Sequence, residues 1–440
     1  MNRTHAVWAG AVGIVIGAFW LGGRETAGPS SCQTPQASPA TVSGDDRRDP
    51  VIASDGGGGL VAIWESLTGG PVEASTRDAD GTWSSPAALS GPYARDPTVA
   101  VDPGGRAIAA WQVPLRGDTT AVQVTTAQTG GPWSTPTDVS VAGTHAREPQ
   151  IAVTGAGTTV LVWRRDTGAG DTLIEVTERT ANNGWTKPQA LSDPTVRSKR
   201  PRLAVAPNGA AALVWEQTVG GRLTVVAAMR SSGGRWSQQV PLTNSLDAHE
   251  PDVAIGPTGA ATAAWIEETE DGAVAMATSR PEAGVWSVPT VIGRGSGVPY
   301  ETPRPGRAET GADVAALPDG RAIAVWTIVD DEVNQAQSAT MRAGGVWDAP
   351  TALSDPDSAA SGVQVAVLAG GAAAAAWEEL DGGLIRARVA RVGANGAPVA
   401  CVDLSSARAE TGAVRLVGGS APSAVFVDFN RSRVQVAPIP

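Results

Sequence analysis

The sequence predicts an all-β protein, a β-propeller of eight four-stranded blades, with a seven-bladed ring as the alternative. Three observations carry this. Thirteen tryptophans beyond the N-terminal leader fall into two interleaved series. A landmark residue stands 14 positions before every tryptophan of the first series. Short alternating apolar runs, broken by Gly-containing turns, fill the space between. Four short strands in about 50 residues, with no helical period, describe a propeller blade.

The chain begins with Met1-Asn2-Arg3-Thr4-His5 and an apolar run from Ala6 to Gly23. A short basic start before such a run is an export signal. Residues 1–28 are read as a signal peptide or an uncleaved N-terminal anchor, and residues 29–440 as a single propeller outside the cytoplasm. The only expected membrane contact is that N-terminal segment. The net charge of −11 excludes a general nucleic-acid binder, which needs a basic face. Two cysteines and three histidines argue against a Cys/His zinc site.

The first tryptophan series is Trp64, Trp111, Trp163, Trp215, Trp265, Trp326 and Trp377; the second is Trp83, Trp133, Trp185, Trp236, Trp286 and Trp347. The landmarks are Pro50, Pro97, Pro149, Pro201, Pro251, Ala312 and Val363. An eighth unit starts at Ala413, with Val427 in the tryptophan place. Blade starts fall near residues 48, 95, 147, 199, 249, 309, 360 and 410. In each unit strand a alternates, as in Thr98-Val99-Ala100-Val101. A Gly turn follows, and apolar strand b ends at the first tryptophan. Strand c alternates again. The second tryptophan then opens W-x-x-P and a Leu-Ser pair, which mark strand d. Recurrence at one place in every unit assigns both tryptophan series to packing.

The last unit lacks strand d. Cys32-Gln33-Thr34-Pro35 matches W-x-x-P with Cys in the tryptophan place, so residues 32–47 are expected to complete the last blade and close the ring. A Cys32–Cys401 disulfide would pin that strand, if outer strands of neighbouring blades approach closely enough. A monomer is expected.

The turn Thr76-Arg77-Asp78-Ala79-Asp80-Gly81-Thr82-Trp83 resembles the Asp-box (BNR) turn of sialidase-like propellers, with Gly81 one place late. Elsewhere only Gly and Trp persist, as in Gly234-Arg235-Trp236. The resemblance spans the repeat region in layout and implies a sialidase-like propeller fold, not sialidase chemistry.

Candidate site residues lie on the face of the d–a and b–c loops. A pair precedes each landmark: Arg48-Asp49, Arg95-Asp96, Arg147-Glu148, Lys199-Arg200 and His249-Glu250, then Thr310-Gly311, Ser361-Gly362 and Thr411-Gly412. The interval from Trp286 to Ala312 is 26 residues, against 14 to 16 elsewhere. This insertion carries Tyr300, Glu301, Arg304 and Arg307. Arg95, Arg147 and Arg200 with those four form the candidate ligand site; the alternative is that the rim arginines simply pair with acids of neighbouring blades. Acidic b–c loops (Glu267, Glu268, Glu270, Asp271; Asp330, Asp331, Glu332; Glu378, Glu379, Asp381) suggest Ca²⁺ or a merely solvated acidic face. No catalytic metal or cofactor is implied. A sialidase would draw on Arg95, Arg147, Arg304, Tyr300 and Glu216 or Glu267, but no complete catalytic signature is present. The favoured reading is a binding scaffold for an extracellular protein, glycan or cell-wall ligand; the other is a sialidase-like or other glycoside hydrolase.

Overall fold

The computed structural model describes residues 32–33, 38–117, 119–168, 170–180, 184–243, 247–295, 311–330, 333–404 and 410–439. The chain forms eight four-stranded antiparallel sheets, a β-propeller of eight blades rather than seven. Blade 1 is Arg47–Ser54, Leu60–Ser66, Glu73–Arg77 and Ala87–Ala88, here called strands a to d. The same order repeats through blade 7, and blade 8 begins with Thr411–Val417 and Ser423–Asp428.

Strand b is apolar on both faces because each sheet is sandwiched between two others. Leu60–Ser66 is buried at every position. The seven first-series tryptophans are wholly buried, and each packs against the preceding blade: Trp111 lies among Val61, Ile63 and Ala74 of blade 1. Their indole N–H groups are mostly satisfied within the blade. Glu73, Glu175, Glu267 and Glu379 accept from Trp64, Trp163, Trp265 and Trp377 at 2.6 to 3.0 Å. The second series also packs, each indole against one of the inter-blade cores. These six indoles are only half-buried and lie beside the c–d turns. In blade 1 that turn is built as the sequence suggested: Asp78 Oδ1 accepts the Thr82 N–H at 2.9 Å, and Gly81 supplies φ +87.

The Leu-Ser pair has a structural role. Ser90, Ser140, Ser192 and Ser354 accept, through Oγ, the N–H of Val72, just before strand c, and the strand-c N–H groups of Val122, Ile174 and Ala336, so the hydroxyl extends a two-residue strand d. Ser43 does the same for Val434. This corrects the phase of ring closure. Strand d of blade 8 is Ala40–Thr41, paired with Arg433–Pro438. Pro39, not Pro35, therefore stands in the W-x-x-P proline place. Cys32 and Gln33 lie instead on blade 7, where Gln33 bridges Val402. The Cys32–Cys401 disulfide forms there with Cα atoms 4.6 Å apart, since both residues belong to one sheet edge. The chain then crosses to blade 8, so one covalent bond anchors the segment that closes the ring.

The eighth unit is also rephased. Phe426, fully buried, takes the tryptophan place, because Gly412 pairs with Val427 as Arg48 pairs with Glu65. The 14-residue spacing between Ala413 and Val427 is coincidental. Among the described residues no helix is long and apolar enough to cross a membrane. The leader, residues 1–28, lies outside the described residues.

Candidate functional site

The rim pairs sit at a β-bulge. Strand a breaks register after Arg48, Arg95, Arg147, Lys199, His249, Ser361 and Gly412. The next residue adopts positive φ: Asp49, Asp96, Glu148, Arg200, Glu250, Gly362 and Ala413. Five of these precede proline, which has no N–H to pair and suits a bulge. Blade 6 runs from Gly311 to Ala316 without one.

The bulge aims its exposed N–H groups at the preceding blade, and carboxylates meet them. Glu65 accepts from Asp96 N, Glu216 from Glu250 N, and Glu378 from Ala413 N. In blade 3 the charges are exchanged: Arg164 stands where Glu65 does, and Glu148 caps Arg200 N at 2.8 Å while Arg164 binds it. The rim arginines complete this inter-blade network. Arg95 lies 3.5 Å from Glu65, which also takes Arg48 at 2.7 Å. Arg200 reaches both buried Glu216 and Glu250, and Lys199 joins at 3.0 Å. Glu216 accordingly titrates below the usual range: burial opposes ionisation, but the Glu250 N–H, Arg200 and Lys199 outweigh it. Arg147 is the exception. Gln112 replaces the acid beside it, and among the described residues its contact is His145 Nδ1 at 3.4 Å.

Two residues along strand a, a second ring lines the channel: Val51, Thr98, Gln150, Arg202, Asp252, Asp313, Gln364 and Arg415. Asp252 and Asp313 are hydrogen-bonded to each other, and Val314 and Val365 donate backbone N–H groups to Asp252 Oδ2 and Asp313 Oδ2. Burial first, then Asp252, pushes Asp313 well above the carboxylate range. Asp313 therefore holds its proton more tightly than a free carboxyl. At the mouth, burial and the charges of Glu65, Glu148 and Asp49 raise Asp96 to about 6.

Over blade 8 the rim opens. Gly412, Ala413 and Val427 occupy the places that hold Arg48, Asp49 and Glu65 in blade 1. Removal of those side chains leaves a cleft of 480 Å³ bounded by blades 7, 8 and 1. Gly412 is required: a Cβ there would lie 2.7 Å from the Phe429 ring and 3.0 Å from the Glu378 carboxyl carbon. Phe429 and Leu67 form exposed apolar walls (41% and 48% exposed). Arg415 reaches the cleft, and among the described residues it has no acidic ion-pair partner; Nη1 donates to Val414 O. Glu378 is occupied by the Ala413 N–H and Ser361, and burial raises its pKa.

Tyr300, Glu301, Arg304 and Arg307 lie outside the described residues. Arg95 and Arg200 are structural ties, and Glu216 and Glu267 are buried partners of basic groups and of Trp265, so neither stands free to activate a tyrosine. Glu268 pairs with His249, and Glu379 and Asp381 with Arg388. Among the described residues no group of three or more His, Cys, Asp or Glu is placed to hold a metal ion. Sequence reasoning missed Arg415, Phe429 and the Asp pair.

No protein-family model and no curated protein matches the chain. Solved structures do. A lectin from Burkholderia pseudomallei overlays with a TM-score of 0.54 at 15% identity, covering 82% of this chain and 99% of that chain. A polysaccharide lyase, an ulvan lyase bound to -[GlcA(1-4)Rha3S]-, overlays at 0.50 and 11% identity, covering 84% and 98%. A microbial sialidase overlays only at 0.39, with 10% identity over 72% and 74%. The likeness expected from the blade layout holds as a likeness of fold.

Proposed function

We propose that the protein is a non-catalytic binding propeller outside the cytoplasm that holds an acidic saccharide in the cleft over blade 8. The observation that carries this is Arg415, which among the described residues has no acidic ion-pair partner, beside exposed Phe429 in a cleft whose two carboxylates, Glu378 and Asp49, are held by the Ala413 N–H and by Arg48. An apolar wall accepts a sugar face, and a guanidinium accepts a carboxylate or sulfate through paired N–H donors. The fold neighbours support the choice, one being a lectin and another a lyase with a glucuronate-containing chain bound. The disulfide fits an oxidising compartment.

A glycoside hydrolase is the weaker reading. It needs carboxyl groups about 5–10 Å apart. The Asp252–Asp313 pair is hydrogen-bonded, closer than that. The test is calorimetric titration with uronic-acid and neutral oligosaccharides. Binding of the acidic series alone, lost in Arg415→Gln with no sugar cleaved, is the expected result. Equal binding of neutral sugars, or turnover, would overturn it.

A further inference from the structure

On the opposite face, where the a–b and c–d turns lie, two neighbouring blade junctions differ in their charge pairing. At the junction of blades 3 and 4, Glu178 reaches across from blade 3. Its carboxylate takes Arg230 Nε and Nη2 at 2.8 and 2.7 Å and Trp236 Nε1 at 3.0 Å. One junction further, the same register places Met229 where Glu178 stands, Arg280 where Arg230 stands and Trp286 where Trp236 stands. The two donors remain and their carboxylate is gone. Arg280 gives Nε to Gly284 O at 2.7 Å and, among the described residues, has no acidic partner. Among the described residues Trp286 Nε1 is buried with no hydrogen-bond partner, and of the second-series indoles it alone is so. A cleft of 390 Å³ opens at this junction, lined among others by Met229, Arg235, Trp236, Arg280 and Glu282. Arg235 likewise has no ion pair among the described residues, while Arg230 is neutralised by Glu178.

We infer that this cleft binds a uronate, with its carboxylate on Arg280 and the Trp286 N–H as Glu178 sits on Arg230 and Trp236. Arg235 adds a second positive charge that outweighs Glu282. Trp236, fixed edge-on to Glu178, offers the wall for the sugar ring. Met229 lines the cleft and belongs to the apolar cluster against which Trp286 packs, and it is flexible enough to swing aside and open the indole to the cleft. The site rests on its own residues and not on the cleft over blade 8.

Glucuronate is titrated into ¹⁵N-labelled protein while the tryptophan indole signals are followed. The Trp286 signal, assigned by its loss in Trp286→Phe, should move with glucuronate and not with glucose. Arg280→Gln should weaken the response about 10- to 100-fold, the loss of a charge-assisted pair. Met229→Glu builds the missing carboxylate into the chain, so it should abolish binding and raise Tm. Arg415→Gln should leave this response unchanged, which separates it from the cleft over blade 8. An indole signal that stays fixed, an unaffected Arg280→Gln, or glucuronate binding no tighter than acetate would overturn the inference. Should Met229→Glu fail to fold, Arg280→Gln decides.

Discussion

Blades 1, 4 and 8 present the same bulge to the same face with opposite consequences. In blade 4, Lys199 and Arg200 converge on a Glu216 that is wholly buried, and the rim is closed by its own charges. In blade 8, Gly412, Ala413 and Val427 withdraw those groups; Arg47 and Arg48 at the cleft's edge are paired with Glu73 and Glu65, and Arg415 stands two residues deeper than the bulge. The backbone is held constant by the tryptophans, the carboxylate caps and the serines. The rim opens into a cleft where the repeat gives up side-chain volume and charge pairing, not where it adds charge.

The comparison is best broken first at what the blades share. Trp163→Ala removes a fully buried indole and should cost about 3–5 kcal/mol in a denaturant titration. Trp185→Ala, at a half-buried place, should cost clearly less. Next comes Glu216→Gln, which leaves Lys199 and Arg200 facing a neutral group; a loss of about 3 kcal/mol is expected. Arg415→Gln should leave Tm nearly unchanged, because no ion pair among the described residues is cut. An Arg415→Gln loss as large as that of Glu216→Gln would erase the distinction between the two rims. Opening the Cys32–Cys401 bond by Cys401→Ser should cost about 2–4 kcal/mol, read as a lower midpoint with unchanged blade packing.

The smallest effect is on pH. Asp96, Glu250, Asp313 and Glu378 all hold their protons more tightly in the folded chain than in the unfolded one, chiefly through burial. Their contribution is fully present below the unfolded carboxyl range near pH ~4 and is lost as pH rises, through about 6 for Asp96. Glu216 acts in the other direction, in a lower window. Stability measured from pH 4 to 8 should therefore decline across pH 6, and Asp96→Asn should flatten that decline. A rise across the same interval would contradict the reading of the mouth.

The fold was legible because one indole per blade recurs with little variation. Its phase was less so. Val427 and Pro35 matched the repeat by number, while Phe426 and Pro39 occupy the places by register, since the a–b turn of blade 8 is shorter and strand d is set by Ser43. The cleft was hidden for a related reason. Which residue faces the channel depends on a bulge that inserts one residue into strand a, so Arg202, Asp252, Asp313 and Arg415 looked like any alternating positions. The rim arginines were conspicuous in sequence because they repeat, and that recurrence is what marks Arg95 and Arg200 as ties between blades.

A crystal soaked with a glucuronate-containing oligosaccharide addresses the cleft over blade 8 directly. A sugar ring against Phe429 with its carboxylate on Arg415 is the predicted result. Density seated instead on the rim at Arg95 and Arg147, or an upper face left empty at saturating ligand, would contradict it.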